Sequence, residues 1–340
     1  MAKTTLEDIS LQTGLSKTTI SRILSGKAKA FRINSNTIEK VIKAAQSLNY
    51  KPEIINRLLH KKNMMTIGLA VPDLANPFFA SLASSITLEA KKHDLTVMLF
   101  DTQEDELMEK NALNKMKEHH ADGIIIVPCH KSPKTLEKIA EHIPVVQVDR
   151  YYENSPLPYV STNNCKGAYE MMNLLLYNGH RNIICIQGPA FSTTNKERIK
   201  GCRKALEEFH EKCTFNVMGN EFSIQNGYSE TNFALSCAER PTAVFALSNT
   251  IMLGAMKAIK EHGLKIPDDI SLVSFDDNQY LDYLCTAITR VAQPAKNMGI
   301  TAVEMILKSI ISGEKLNSNL LLKPTIIQRD SVRNITLRPD

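Results

Sequence analysis

The sequence predicts an α/β protein: a small all-α head, then a larger body of two doubly wound, mostly parallel-sheet halves. Three observations predict it. From about residue 64, short β-branched apolar runs alternate with amphipathic helical stretches, the mark of parallel strands buried on both faces. That series occurs twice. Residues 1–62 carry no such run, and they hold 12 basic against 4 acidic side chains, a surplus of +8; residues 63–340 hold 29 basic and 32 acidic ones, or −3. A basic module on a slightly acidic body is what a polyanion-binding head looks like, although the charge alone fits a solubilising surface equally well.

Composition sets the outer limits. At roughly 150 residues per domain, 340 residues make two or three domains. A hydrophobic share of 43% with 23% charged residues excludes wholesale disorder. Trp is absent, so aromatic pocket walls must be Phe or Tyr. The seven cysteines include no CxxC pair, which argues against a disulfide framework or zinc ribbon. The polar start MAKTTLEDIS is no signal peptide, and no apolar run of 18 residues appears, so a cytoplasmic protein without a membrane span is expected.

In chain order, Thr5 caps a helix from Leu6, with Asp8 in its first turn and Leu6, Ile9 and Leu11 as apolar positions. Gly14 makes a tight turn. Ser16 caps a second helix, 17–24, with Ile20, Ile23 and Leu24 inward and Lys17, Thr18, Ser21 and Arg22 outward. Two short helices joined this way, the second presenting Lys, Thr and Arg near its start, form a helix-turn-helix. A third helix, about 35–48, starts at an Asn34/Ser35 cap. Pro52 opens a short segment to His60 that is too brief to be a stable helix alone. The body's strands are read at 65–71, 95–100, 123–127, 144–148, 182–188, 215–218, 242–247 and 270–275. Helices are read near 78–93, 104–118, 132–142, 165–178, 196–211, 226–238 and 250–262, with late strands near 288–291 and 325–328.

The stretch TLEDISLQTGLSKTTISRIL, followed by TIEKVIKAAQSLNYKP, resembles the DNA-binding head of the lactose-repressor (LacI/GalR) family of bacterial transcription regulators. The resemblance runs over nearly the whole chain. It implies a periplasmic-binding-protein-like clamp with three crossovers: a head at 1–50, a hinge at 51–62, a first half of 63–162 plus 291–323, and a second half of 163–290 plus 324–340. It also implies that the second helix enters the major groove, with Lys17, Thr18 and Arg22 reading bases. Their chemistry suits guanine acceptors and the thymine methyl. Thr5, Ser16, Thr19 and Ser21 are better suited to the backbone. The connection KAKAFRIN is longer than usual in the family and adds Lys29 and Arg32, expected to meet phosphates. In the hinge, Leu59 falls where the family wedges a Leu into the minor groove, beside Asn56 and Arg57. A plain apolar linker is the alternative. Helices near 78–93 and 252–262, and ITRV (288–291), are implied as homodimer contacts.

Ligands of open α/β sheets bind past the carboxyl ends of the strands. Those positions offer Asn76, Phe78 and Phe79, then Asp149 and Arg150, then Thr193 and Arg198, then Phe222, Asn249 and Asp276. Carboxylates and Arg grip vicinal hydroxyls, and an aromatic face packs on the C–H side of a sugar. The resemblance assigns Asp149, Arg198, Asn249 and Asp276 to effector contact and Phe79 and Phe222 to the walls. Arg150, with Asn249 and Asn163 where acids are usual, extends the expectation to a sugar acid or sugar phosphate. Asp73 and Asp277 are read as loop caps or surface charges. No nucleotide fingerprint, nucleophile elbow, HExxH or P-loop is present, the histidines lack metal spacing, and no cofactor or metal is expected. The sequence therefore points to a sugar-switched repressor of carbohydrate genes that binds a palindromic operator as a dimer. Alternatives are a sugar receptor without a DNA role, a purine-responsive repressor and, last, an enzyme.

Overall fold

A computed structural model describes residues 5–24, 31, 33–48, 65–313 and 318–336. The chain divides into two compact units, residues 1–65 and 66–340.

The first unit contains α1 (Leu6–Thr13), α2 (Lys17–Leu24) and α3 (Ser35–Ser47). The Asp8 carboxylate accepts from the Thr5 backbone N–H at 2.7 Å and from its hydroxyl at 3.0 Å, tying down the start of α1. Gly14 ends α1 at φ 70°, a conformation that favours glycine. Ser16 Oγ accepts from the Thr19 N–H, and Asn34 Oδ1 accepts from the Asn36 N–H, as expected of helix-starting caps. Ile9, Ile20, Ile23, Val41, Ala44 and Ala45 form the core. Leu11 is not part of it. The side chain is 80% exposed, because two residues of helix after Ile9 turn it by about 200° to the opposite face. Thr13, four residues on from Ile9, is buried instead, with its hydroxyl bonded to the Ile9 carbonyl.

The second unit holds two six-stranded sheets. The first half comprises β1 (Thr66–Val71), α4 (Pro77–Lys92), β2 (Thr96–Asp101), α5 (Glu106–Glu118), β3 (Gly123–Ile126), α6 (Lys134–Ala140), β4 (Val145–Val148) and β5 (Tyr159–Thr162). The second comprises α7 (Asn164–Tyr177), β6 (Asn182–Ile186), α8 (Thr193–Glu208), β7 (Thr214–Met218), α9 (Ile224–Ser236), β8 (Ala243–Ala246), α10 (Asn249–Glu261), β9 (Ser271–Phe275) and β10 (Thr289–Ala292). The chain then returns through α11 (Ala295–Ser312) and β11 (Asn319–Leu322), and crosses again to β12 (Thr325–Ile327). The sheet orders are β11-β5-β4-β3-β1-β2, all parallel, and β12-β10-β9-β8-β6-β7, where only β12 is antiparallel. The central strands are buried except for Thr66 at the start of β1, which is why their sequences read as continuous apolar runs rather than alternating ones.

Two details differ from the sequence reading. Strand β10 straddles the 290/291 division and lies wholly in the second sheet, so the crossing to α11 comes after Ala292. ITRV is also no surface element. Ile288, Thr289, Arg290 and Val291 are all 2% exposed or less, and the Arg290 guanidinium binds Asp277 and Asp282 within its own half.

Two glycines fix the helical layer of the second half. A Cβ on Gly227 of α9 would lie 2.0 Å from the Ile251 carbonyl oxygen, and one on Gly254 of α10 would lie 2.0 Å from that of Ile224. The two helices touch backbone to backbone, which no larger residue permits.

Candidate effector cleft and DNA-reading helix

Strand ends from both halves converge on one cleft. It is lined by Asn76, Phe78, Phe79, Asp149, Arg150, Thr194, Arg198, Phe222, Ser248, Asp276 and Gln293. Eight of the ten expected effector residues are brought together there. Thr193 and Asn249 are displaced by their neighbours Thr194 and Ser248. Both are first residues of helices, α8 and α10, and adjacent helical residues point about 100° apart. The Thr193 hydroxyl instead donates to the Tyr151 carbonyl, joining the two halves. Asn249 is buried, accepting from the Ser274 hydroxyl.

The two carboxylates occupy matching places. Asp149 follows β4 at φ 63°, and Asp276 follows β9 at φ 77°. Left-handed backbone at a non-glycine residue is sparsely populated, and clusters of it mark functional sites. Asp276 Oδ1 accepts from Gln293 Nε2 at 2.6 Å. Burial pushes the Asp149 carboxyl up to about 6, despite the opposing pull of Arg198 and Arg150. Arg198, from α8, stacks its guanidinium 3.9 Å from the Phe275 ring centre, donates to Asn164 Oδ1 at 2.8 Å and to the Leu247 carbonyl at 2.6 Å. Burial lowers its pKa, with Asp276 and Asp149 resisting.

Arg150 is not the unpaired cation that its place in the sequence suggests. It makes a two-pronged pair with Glu104, both bonds 2.6 Å, and its guanidinium carbon lies 5.7 Å from the Phe79 ring centre and 5.3 Å from that of Phe222. Gly188 lets Phe222 approach: a Cβ there would sit 2.3 Å from the ring. With Arg150 packed near both phenylalanines the cleft is narrow, leaving about 20 Å³ for the centres of water-sized molecules. That holds one or two waters.

Three buried polar atoms of the cleft lining have no hydrogen-bond partner among the described residues: Asp149 Oδ1 and Gln293 Oε1, which accept, and Arg150 Nε, which donates; Asn249 Nδ2, on a residue that does not line the cleft, is a fourth. Such atoms are costly unless a ligand or water meets them. Sequence reasoning missed Thr194, Ser248, Gln293 and Glu104. Gln293 was within reach, since it directly follows strand β10. Glu104 was not, because it acts only through its contact with Arg150. Asp73 caps its own loop through the Ala75 N–H, and Asp277 pairs with Arg290.

On the head, Ser16, Lys17, Thr18 and Arg22 are exposed and Thr19 and Ser21 half-buried; Thr18, Ser21 and Arg22 lie on the face of α2 away from the core residues Ile20 and Ile23. Lys17 Nζ lies 2.7 Å from Glu7 Oε1, and the Arg22 guanidinium carbon sits 3.9 Å from the Phe31 ring centre. Thr5 is exposed at the start of α1. Lys29, Arg32, Asn56, Arg57 and Leu59 lie outside the described residues. Among the described residues no helix is long and apolar enough to cross a membrane, and no group of acids, cysteines and histidines is arranged to hold a metal.

Residues 64–331 match the family described as "Periplasmic binding proteins and sugar binding domain of LacI family", and residues 5–53 that described as "Bacterial regulatory proteins, lacI family". The chain is 32% identical over 334 residues to the HTH-type transcriptional regulator DegA of Bacillus subtilis, covering 97% of this chain and 98% of that one. It is 32% identical over 307 residues to the ribose operon repressor of Halalkalibacterium halodurans, 90% of each chain. A crystal structure of a LacI family regulator from Enterococcus faecium with bound ribose superposes with a TM-score of 0.71 at 27% identity, covering 79% of this chain and 99% of that one.

Proposed function

The chain belongs to the LacI family of DNA-binding transcriptional regulators, a non-enzymatic family, and we propose that it is a repressor of carbohydrate-utilisation genes switched by a neutral sugar. The observation that carries this reading is the set of three orphaned atoms on the cleft lining. A hydroxyl both donates and accepts, so a polyhydroxylated ring can meet two acceptors and one donor at once. The cations are already matched by acids, with one negative charge in excess: Arg150 faces Glu104, and Arg198 lies near Asp149 and Asp276. That arrangement favours a neutral sugar over a sugar acid or phosphate. It also weighs against a purine, because the Arg150 guanidinium already packs near both the Phe79 and Phe222 rings that a flat ligand would have to face.

Lys17, Thr18 and Arg22 read the major groove in this proposal, while Thr5, Ser16, Thr19, Ser21, Lys29 and Arg32 hold phosphates and Leu59 wedges the minor groove beside Asn56 and Arg57. Two heads match a palindrome, so the active species is a homodimer. Exposed Leu88 on α4 and Leu99 on β2 support a partner-facing surface on the first half. Effector acts by binding one relation of the halves more tightly than another, which shifts the paired heads on their operator.

A gel shift on the DNA upstream of the gene, repeated with sugars, sugar acids, sugar phosphates and nucleobases, tests the reading. Thermal melting with the same panel reports binding directly, because a ligand of the native state raises Tm. A neutral sugar should raise Tm and change the operator shift. A response to a nucleobase or to an anion alone would refute the effector assignment. Tight sugar binding without any specific shift would make the protein a receptor.

A further inference from the structure

We propose that Glu104 is a specificity-determining residue: it neutralises Arg150 from outside the cleft and so excludes anionic ligands from a site that would otherwise accept them. The inference rests on the effector cleft assigned above.

Glu104 does not line the cleft, and its side chain is 38% exposed. It nonetheless takes both outer nitrogens of Arg150, leaving only Nε without a partner. Arg150 itself is 5% exposed. Burial pulls its pKa down, yet Glu104 together with Asp149 and Cys129 offsets this and raises it, so the guanidinium stays charged. The backbone is bent to bring Glu104 there. Gln103 at φ 48° and Glu104 at φ 56° are consecutive left-handed residues, and neither is glycine. The surrounding turn is pinned: the Gln103 N–H donates to Asp101 Oδ1, the Glu104 N–H to the Pro72 carbonyl, and the Asp105 N–H to the Thr102 carbonyl. Two successive residues in a sparsely populated conformation persist only where surrounding contacts impose it, and such strain gathers at functional sites.

The formal charges decide the ligand class. Asp149, Asp276 and Glu104 against Arg150 and Arg198 leave the site with one excess negative charge. An incoming phosphate or carboxylate would meet that excess and find both prongs of Arg150 already taken. With Glu104 uncharged, the same site is neutral and Arg150 offers a planar fork suited to an oxyanion.

The test uses the full-length protein and three forms: wild type, Glu104→Gln and the double variant Glu104→Gln with Arg150→Gln. Inorganic sulfate is the probe, followed by calorimetry, so the result does not depend on knowing the effector. Sulfate binding by the basic head is common to all three forms and cancels. Glu104→Gln should bind sulfate at least tenfold more tightly than wild type, and the double variant should lose that gain. Far-ultraviolet circular dichroism shows that each form is folded, and the double variant controls for loosening of the loop. Equal sulfate affinity in wild type and Glu104→Gln overturns the inference, as does a gain that survives in the double variant. Failure of every neutral sugar to bind wild type refutes the effector reading, whatever the sulfate result. A sugar that binds wild type alongside an unaltered sulfate response refutes only the role of Glu104.

Discussion

Asp149→Asn should make the effector-free protein more stable at neutral pH while weakening its ligand site. The folded carboxyl keeps its proton to about pH 6, whereas the ordinary value is 3.8. Between those values the folded state holds more protons than the unfolded one, so stability falls as pH rises through the window and stays low above it. The gap corresponds to about 3 kcal/mol at pH 7 to 8, because the carboxylate is 3% exposed and thus little screened. Asparagine keeps the shape of the neutral acid without its ionisation. For a body of this size, about 2 °C per kcal/mol converts the gain to about 6 °C in Tm. Melting curves of both proteins at pH 4 and pH 8, without sugar, provide the assay. The variant should match wild type at pH 4 and exceed it at pH 8. An equal gain at both pH values, or none at pH 8, would show that burial of this charge is not what the folded state bears. The same variant should bind effector at least tenfold more weakly, since a charge-assisted bond becomes a neutral one.

Two further outcomes are expected. Gly254→Ala places a methyl 2.0 Å from the Ile224 carbonyl oxygen and 2.5 Å from the Tyr228 nitrogen, so it should cost more than about 3 kcal/mol and lower the urea midpoint without changing the slope. Arg22→Ala should weaken specific operator binding by about 1–3 kcal/mol and relax the preference at one base pair, measured by fluorescence anisotropy on single-base operator variants; uniform loss on all sequences would instead mark a phosphate contact.

How far the residues disclosed the molecule follows from what each signal depends on. Parallel strands buried on both faces leave unbroken apolar runs, so TIGLAV and TAVFAL were readable as strands and their ends as a site. Helix starts were readable where a Ser or Asn caps them, as at Ser16 and Asn34. Side-chain direction within a helix was harder. Helix α8 begins at Thr193 rather than near 196, and that shift decides whether Thr193 or Thr194 faces the cleft. Leu11 failed for the same reason, since hydrophobicity alone does not fix the helical phase. The state of Arg150 was not legible at all. Its partner lies 46 residues away on a loop whose backbone shape has no signature in QE. Pairings of this kind depend on tertiary contact, and no local pattern encodes them.

The backbone-to-backbone contact of α9 and α10 at Gly227 and Gly254 makes the second half mechanically stiff. Close-packed interiors barely compress, and here the gap between two helices has no side chain whose rotamer could yield. Work done by a ligand on this half therefore has little elastic reservoir to vanish into. Displacement at Asp276 is therefore expected to be passed on to the rest of the molecule rather than absorbed.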